Sequence, residues 1–157
     1  MTKCVIICGC SGSGKSTYAR ELASFADKEG KTWKICEADD FFMVDGVYKW
    51  EASRLGEAHA LCFGKYLRAI ASGTDLVICS NTNLEKSDIS PYVLAAAAYG
   101  IVADIIVIEC DPTLAATRNQ HGLTERDVRR QEAKKERMNL PRYWNVRKRF
   151  AAGSVVT

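Results

Sequence analysis

Gly9-Cys10-Ser11-Gly12-Ser13-Gly14-Lys15-Ser16-Thr17 is the segment whose residue types and spacing point most directly to chemistry. It satisfies the pattern G-x-x-x-x-G-K-[ST], in which glycines let successive backbone N–H groups converge on an anion. An apolar run, Lys3 to Cys8, leads into it, and an amphipathic stretch from Lys15 to Glu29 follows. A helix starting at Lys15 adds open amide donors and the positive end of its dipole. Read this way, Gly9, Ser11, Gly12, Ser13, Gly14, Ser16 and Thr17 surround the phosphates of ATP. Lys15 would bridge the β- and γ-phosphates, and the Ser16 hydroxyl would ligate Mg2+. A chance Gly/Ser-rich turn is the alternative, and the flanking elements argue against it.

Holding a triphosphate is not yet a reaction, because transfer also needs a carboxylate for the acceptor and positive charge for the moving phosphoryl. Asp39 and Asp40 follow the second apolar run, Trp33 to Glu37, at the strand end where open α/β sheets place ligands. Asp39 is expected to accept or orient the acceptor hydroxyl, with Asp40 contacting the acceptor. A capped turn with both carboxylates solvated is the other reading. Asn81 and Thr82, after the third run, either orient acceptor, metal water or Asp39, or satisfy a turn. Arg118, Arg126, Arg129 and Arg130 lie where a lid would close, and arginine meets phosphate oxygens in a bidentate fork. Arg118 is the best placed for nucleotide and transferring phosphoryl, and Arg126 is assigned to the acceptor. His121 reads as a turn residue and His59 as a packed core histidine.

The elements that must position these groups follow from hydrophobic pattern. Four continuous apolar runs, Lys3 to Cys8, Trp33 to Glu37, Asp75 to Cys79 and Ile101 to Cys110, suit strands buried on both faces of a parallel sheet. Between them, Lys15 to Glu29 places Tyr18, Leu22, Phe25 and Ala26 on one side. Leu55 to Ser72 does the same with Leu55, His59, Cys62, Tyr66 and Ile70. Ser90-Pro91 signals the start of a helix ending at Gly100. Asp111-Pro112 opens another that runs through Arg118 to a break at His121-Gly122. Thr124 caps the next, with Leu123 stapling onto Val128. That helix is polar nearly all round, so residues 118–138 are expected to form a mobile, Arg-rich helical lid. Alternating strands and helices mean an α/β sheet with helices on its faces.

Composition sets limits. A chain of 157 residues, 47% apolar and 26% charged, suits one globular domain over 1–157 and excludes a disordered polymer. No apolar run approaches the roughly 18 residues of a membrane span, and the N-terminal run is too short for a secretory signal, so a cytoplasmic protein is expected. Seven cysteines without a C-x-x-C pair read as reduced, mostly buried thiols. From Met1 to Asp111 there are 11 basic and 15 acidic side chains, net −4; from Pro112 to Thr157 there are 11 and 4, net +7. The basic C-terminal segment, 139–157, suits a polyanion. Tyr143 and Trp144 there either stack on bases or pack inward on a closing helix.

Taken in order, the Gly9 to Thr17 loop, Asp39-Asp40, Asn81-Thr82-Asn83 and Arg118-Asn119 resemble phage-type polynucleotide kinase, the 5′-hydroxyl kinase of nucleic acid ends. Asp39-Asp40-Phe41-Phe42, Gly46-x-Tyr48, Leu55-Gly56-Glu57-Ala58-His59 and Arg118-Asn119-x-His121-Gly122 are also similar to the ubiquitin-ligase-binding kinase-like (AAA/zeta-toxin-like) P-loop proteins. The resemblance implies a P-loop NTPase fold, ATP with Mg2+, Asp39 as general base, and a DNA or RNA 5′ end as partner. Two positions depart from the phage pattern: Phe42 stands where that kinase has an acceptor-binding arginine, and Asn81 where it has aspartate. The readings left open are a kinase of a nucleoside, sugar or antibiotic, and a non-catalytic nucleotide-binding interaction module.

Overall fold

Each of the four apolar runs contributes a strand to one parallel sheet, and a fifth strand joins them. The computed structural model describes residues 1–151; residues 152–157, the end of the basic C-terminal segment, lie outside the described residues. In chain order come β1 (Lys3–Cys8), α1 (Lys15–Lys28), β2 (Trp33–Cys36) and a 3₁₀ turn (Ala38–Phe42). The short strands β3 (Met43–Val44) and β4 (Val47–Tyr48) lead through a second 3₁₀ turn (Ala52–Arg54) to α2 (Leu55–Ala71). Then follow β5 (Leu76–Ser80), α3 (Lys86–Ala98), β6 (Asp104–Glu109), α4 (Pro112–Arg118), α5 (Glu125–Glu136) and β7 (Asn145–Phe150). The main sheet has the order β2-β5-β1-β6-β7, and every pairing in it is parallel. From β1 the chain builds first to one side and then to the other, so a crevice opens at the carboxyl end of β1.

Both faces of the sheet are covered. Cys4, Ile6, Cys8, Val77, Cys79, Ile105 and Val107 pack on α2 and α3 through Ala58, Cys62, Tyr66, Ile70, Ile89, Tyr92 and Ala96. On the opposite face Val5, Ile7, Ile78, Ile106 and Ile108 meet Tyr18, Ala19 and Leu22 of α1. This two-sided burial explains why those runs show no alternation. All seven cysteines are buried free thiols, as their apolar settings suggest. Among the described residues no helix is long and apolar enough to cross a membrane.

Several expectations are corrected. Of the two readings of the stretch around Tyr143 and Trp144, the closing helix is overturned: the chain there enters β7, a basic edge strand whose exposed Arg147, Lys148 and Arg149 hide its pairing to β6 from a hydrophobicity pattern. Trp144 packs on the α2/α3 core cluster while Tyr143 is exposed. α3 begins at Lys86 rather than at Ser90-Pro91, because Glu85 and Asp88 form a capping box, and Pro91 sits inside the helix. Phe25 is exposed, since α1 turns the smaller Ala19, Ala23 and Ala26 inward. His59 is exposed as well: α2 buries Ala58 and Cys62 beside it, and the imidazole looks into the crevice.

Residues 118–138 also differ from a helix with little to bury. Thr124 caps α5, and Leu123 and Val128 share a cluster with Cys10, Cys110 and Ala115. Lys135 is 4% exposed and pairs with Glu109 at 2.9 Å and Glu132 at 2.8 Å. The Gln131 Oε1 accepts a hydrogen bond from the Ser11 amide at 2.8 Å. Thus α5 is docked on β6 and the phosphate loop by buried polar contacts that its composition disguises.

Candidate active site

A cleft of about 1000 Å³ lies at the carboxyl edge of the sheet, and four separate connections converge on it. The first is the loop from Gly9 to Thr17. Gly12 has a φ of +77°, and a Cβ there would fall 2.0 Å from the Ala115 carbonyl oxygen, so no side chain fits. Gly14, at φ 103°, is the N-cap of α1 and gives it no side-chain cap, which leaves the first amides of the helix open for an anion. The Lys15 Nζ donates to the carbonyls of Gly9 at 3.0 Å and Cys10 at 2.8 Å. Burial pulls its ammonium below the ordinary lysine value, while the nearby Asp39 charge pushes the other way.

Oxygen donors gather at the mouth of the loop. The Ser16 hydroxyl donates to Glu37 Oε1 at 3.2 Å. Burial, and then the neighbouring Asp40 charge, raise the Glu37 carboxyl above its usual range. Ser13 and Ser80 carry buried hydroxyls with no hydrogen-bond partner among the described residues, and both line the cleft. Hard oxygen ligands and unsatisfied hydroxyls of this kind suit Mg2+ and phosphate.

The second connection carries Asp39. Its Oδ1 accepts from the Tyr48 hydroxyl at 3.2 Å, and its Oδ2 faces His121 Nε2 at 3.3 Å. Burial, with the Asp39 charge adding, pushes the Tyr48 phenol up to about 12, so it stays a donor at neutral pH. The rings of Tyr48 and His121 lie 4.9 Å apart. Asp40 lines the same cleft.

The third connection, after β5, braces the other two. The Asn81 Oδ1 accepts from the Ala38 amide at 2.8 Å, holding the turn that bears Asp39. The Thr82 carbonyl accepts from the Gly9 amide at 2.9 Å, holding the phosphate loop. Both residues line the cleft, yet their main geometric effect is on protein backbone.

The fourth connection is the turn between α4 and α5. The Asn119 side chain donates to the carbonyls of Ala116 and Leu123 and accepts from the amides of His121 and Leu123. That turn brings Arg118 and His121 to the cleft. Arg126, Arg129 and Arg130 are not among the lining residues. Arg129 pairs with Glu125 at 2.7 Å and Arg130 with Asp127 at 3.8 Å. Arg126, assigned to the acceptor, sits in the first turn of α5 and is not among the residues that line the cleft.

Sequence reasoning gave no role to Glu37, Tyr48, Gln131 or Arg149, and set His121 aside. A signal for Tyr48 was present. Asp45-Gly46, with φ of 50° and 79°, is a tight hairpin turn of the D-G kind joining β3 to β4. Glu37, Gln131 and Arg149 had none, because each meets the site only through folding.

A parallel sheet with a phosphate-type loop after β1 and helices on both faces is the P-loop kinase fold. The chain belongs to the AAA domain family, whose model matches residues 4–143. Human NEDD4-binding protein 2 is 30% identical over 132 residues, covering 80% of this chain and 7% of that protein. A protein of Autographa californica nuclear polyhedrosis virus, named as a bifunctional polynucleotide kinase/RNA ligase, is 26% identical over 101 residues. That match covers 60% of this chain and 14% of the viral protein. The chain thus spans only a small part of these two relatives. The structure of Mycobacterium tuberculosis APS kinase CysC in complex with AMPPNP and APS superposes with a TM-score of 0.67. Its identity is 14%, over 98% of this chain and 90% of that one, a likeness of fold.

Proposed function

We propose that the protein is an ATP-dependent kinase that transfers the γ-phosphoryl to a hydroxyl, specifically the 5′-hydroxyl of a nucleic acid. The observation that carries this reading is the Asp39 carboxylate, which shares one cleft with the phosphate loop and is held from two sides by Tyr48 and His121. In the proposed reaction the acceptor hydroxyl gives its proton to Asp39. Its oxygen bonds to the γ-phosphorus as the bond to the β–γ bridging oxygen breaks, and ADP leaves. Lys15 exchanges its two loop carbonyls for phosphate oxygens. Arg118 meets the transferring phosphoryl from the α4–α5 turn.

Ser16 and Glu37 supply oxygen ligands that would hold Mg2+, directly or through its waters. The metal's contribution would be charge neutralisation on the phosphates. The viral relative's name supports a polynucleotide acceptor, as does the run Arg147, Lys148 and Arg149, of which Arg149 reaches the cleft. The fold likeness to APS kinase favours a second reading, a small-molecule kinase.

One assay separates them. Offered γ-labelled ATP with 5′-hydroxyl oligonucleotides, nucleosides and sugars side by side, the protein is expected to label the oligonucleotide. Activity should fall steeply from low to moderate salt. Label on a neutral small molecule with little salt dependence would establish the second reading. ATP affinity without transfer to any acceptor would leave only a nucleotide-binding module.

A further inference from the structure

Three large apolar side chains line the Asp39 end of the cleft while remaining open to solvent: Trp50 (54% exposed), Met43 (49%) and Leu55 (41%). Their placement is a consequence of the β3–β4 hairpin. Met43 pairs with Tyr48 across the hairpin, the Lys49 amide continues the pairing by donating to the Phe42 carbonyl at 2.8 Å, and Trp50 follows directly. Side chains two apart on a strand, and directly opposed ones, share a face. Met43, Tyr48 and Trp50 therefore point into the cleft together, whereas Val44 and Val47 are not among its lining. Leu55 closes the row from the start of α2. The cations of the cleft, Lys15, Arg20, Arg118 and Arg149, all lie on elements other than this hairpin. At the position after Phe41 the chain has Phe42, which is buried, so no charge reaches the acceptor from there.

We propose that Trp50, backed by Met43 and Leu55, is a stacking subsite for the nucleobase that bears the accepting 5′-hydroxyl. The inference rests on the kinase reading of the cleft and deepens it by naming how the acceptor is recognised. Tyr48 holds Asp39, and Trp50 follows it by two residues, so the wall stands within about 7 Å of chain from the group that grips the carboxylate. An apolar, aromatic, uncharged wall selects a flat heterocycle rather than a phosphate, and stacking tolerates any base. Acceptor specificity thus comes from a ring on an aromatic wall, with the strand's phosphates left to the cations across the cleft.

The test compares oligonucleotides that carry a base or an abasic sugar at the 5′ nucleotide, with wild type, Trp50→Ala and Trp50→Phe. For the base-bearing acceptor, Trp50→Ala is expected to raise KM about tenfold with kcat within about twofold, and Trp50→Phe to retain most of the affinity. The abasic acceptor should show the raised KM already in the wild type, with no further change in Trp50→Ala. Equal effects on both acceptors, or none on either, would overturn the subsite; the latter result fits a face that docks a protein instead. A binding measurement keeps this distinct from the kinase reading. In the presence of ADP, the base-bearing oligonucleotide should quench tryptophan fluorescence in the wild type but not in Trp50→Phe. If no acceptor is phosphorylated, the kinase reading falls, and a Trp50-dependent, base-dependent quench upholds the subsite. Its absence refutes it.

Discussion

The two ends of the cleft are built by opposite strategies. At the nucleotide end nine consecutive residues, Gly9 to Thr17, form the proposed phosphate cradle, largely from backbone, with the Lys15 and Ser16 side chains added. Gly12 approaches the α4 backbone so closely that only hydrogen fits, and the α1 amides are delivered by helix geometry alone. At the acceptor end no segment suffices. Asp39 comes from the turn after β2, Tyr48 from the hairpin, His121 from the α4–α5 turn, and Asn81 steadies the first of these from the connection after β5. A site made of backbone is local and therefore carried by a motif. One made of side chains from four connections depends on the whole sheet, and its specificity can change without touching phosphate binding.

Variants at the two ends should separate accordingly. The largest effect is expected for Asp39→Asn, which removes the proposed proton acceptor: transfer should fall by about 10²–10⁴-fold while nucleotide affinity by calorimetry stays constant. Wild-type turnover in that variant would place the base elsewhere. Next comes Lys15→Ala, with a loss of about 10²–10³-fold in kcat and, unlike Asp39→Asn, weakened nucleotide binding. If calorimetry showed binding intact, the division between the ends would be wrong. His121→Ala should lower kcat roughly tenfold, the order of one polar contact to a charged group, with His121→Gln recovering most of it and ATP affinity unmoved in both.

The smallest effect concerns stability and links the ends through Glu37. Burial and Asp40 raise its carboxyl in the fold, so ionising it costs stability. The cost begins as pH rises past the unfolded value of about 4.3 and is complete above the raised folded value. Glu37→Gln should therefore melt about 1–3 °C above wild type at pH 7.5, the gap closing towards pH 4. The same variant should lose Mg2+-dependent tightening of nucleotide binding. A lower melting temperature at pH 7.5 would mean that the Ser16 contact outweighs the burial cost.

Sequence legibility follows the same divide. β1, β5 and β6 are visible as uninterrupted apolar runs because both their faces are buried, and α1 and α2 end within a residue of their expected limits. β7 was hidden because an edge strand needs no apolar face, only backbone pairing to β6, and its Arg-Lys-Arg core reads as a solvated helix. His59 was misplaced although its helical face was right, since Cys62, Tyr66 and Ile70 of the same stripe are buried: Leu55 and His59 stand at the N-terminal end of α2, where that stripe reaches the cleft. α5 was read as a loose helix because Lys135, charged and nearly fully buried, counts as surface until Glu109 and Glu132 are seen beside it.

What the amino-acid sequence determined unaided is the phosphate loop, the parallel α/β plan and the candidate carboxylate at Asp39, since each depends on neighbours close along the chain. Only tertiary structure decided that Tyr48 and His121 grip that carboxylate, that Asn81 braces backbone, that Arg118 rather than Arg126 enters the cleft, and that Trp50 faces it. The physical reason is range. Helix, strand and loop propensities act over a few residues, whereas a contact between residues 82 positions apart, such as the 3.3 Å approach of His121 Nε2 to the Asp39 carboxylate, exists only once the sheet has brought its strand ends together.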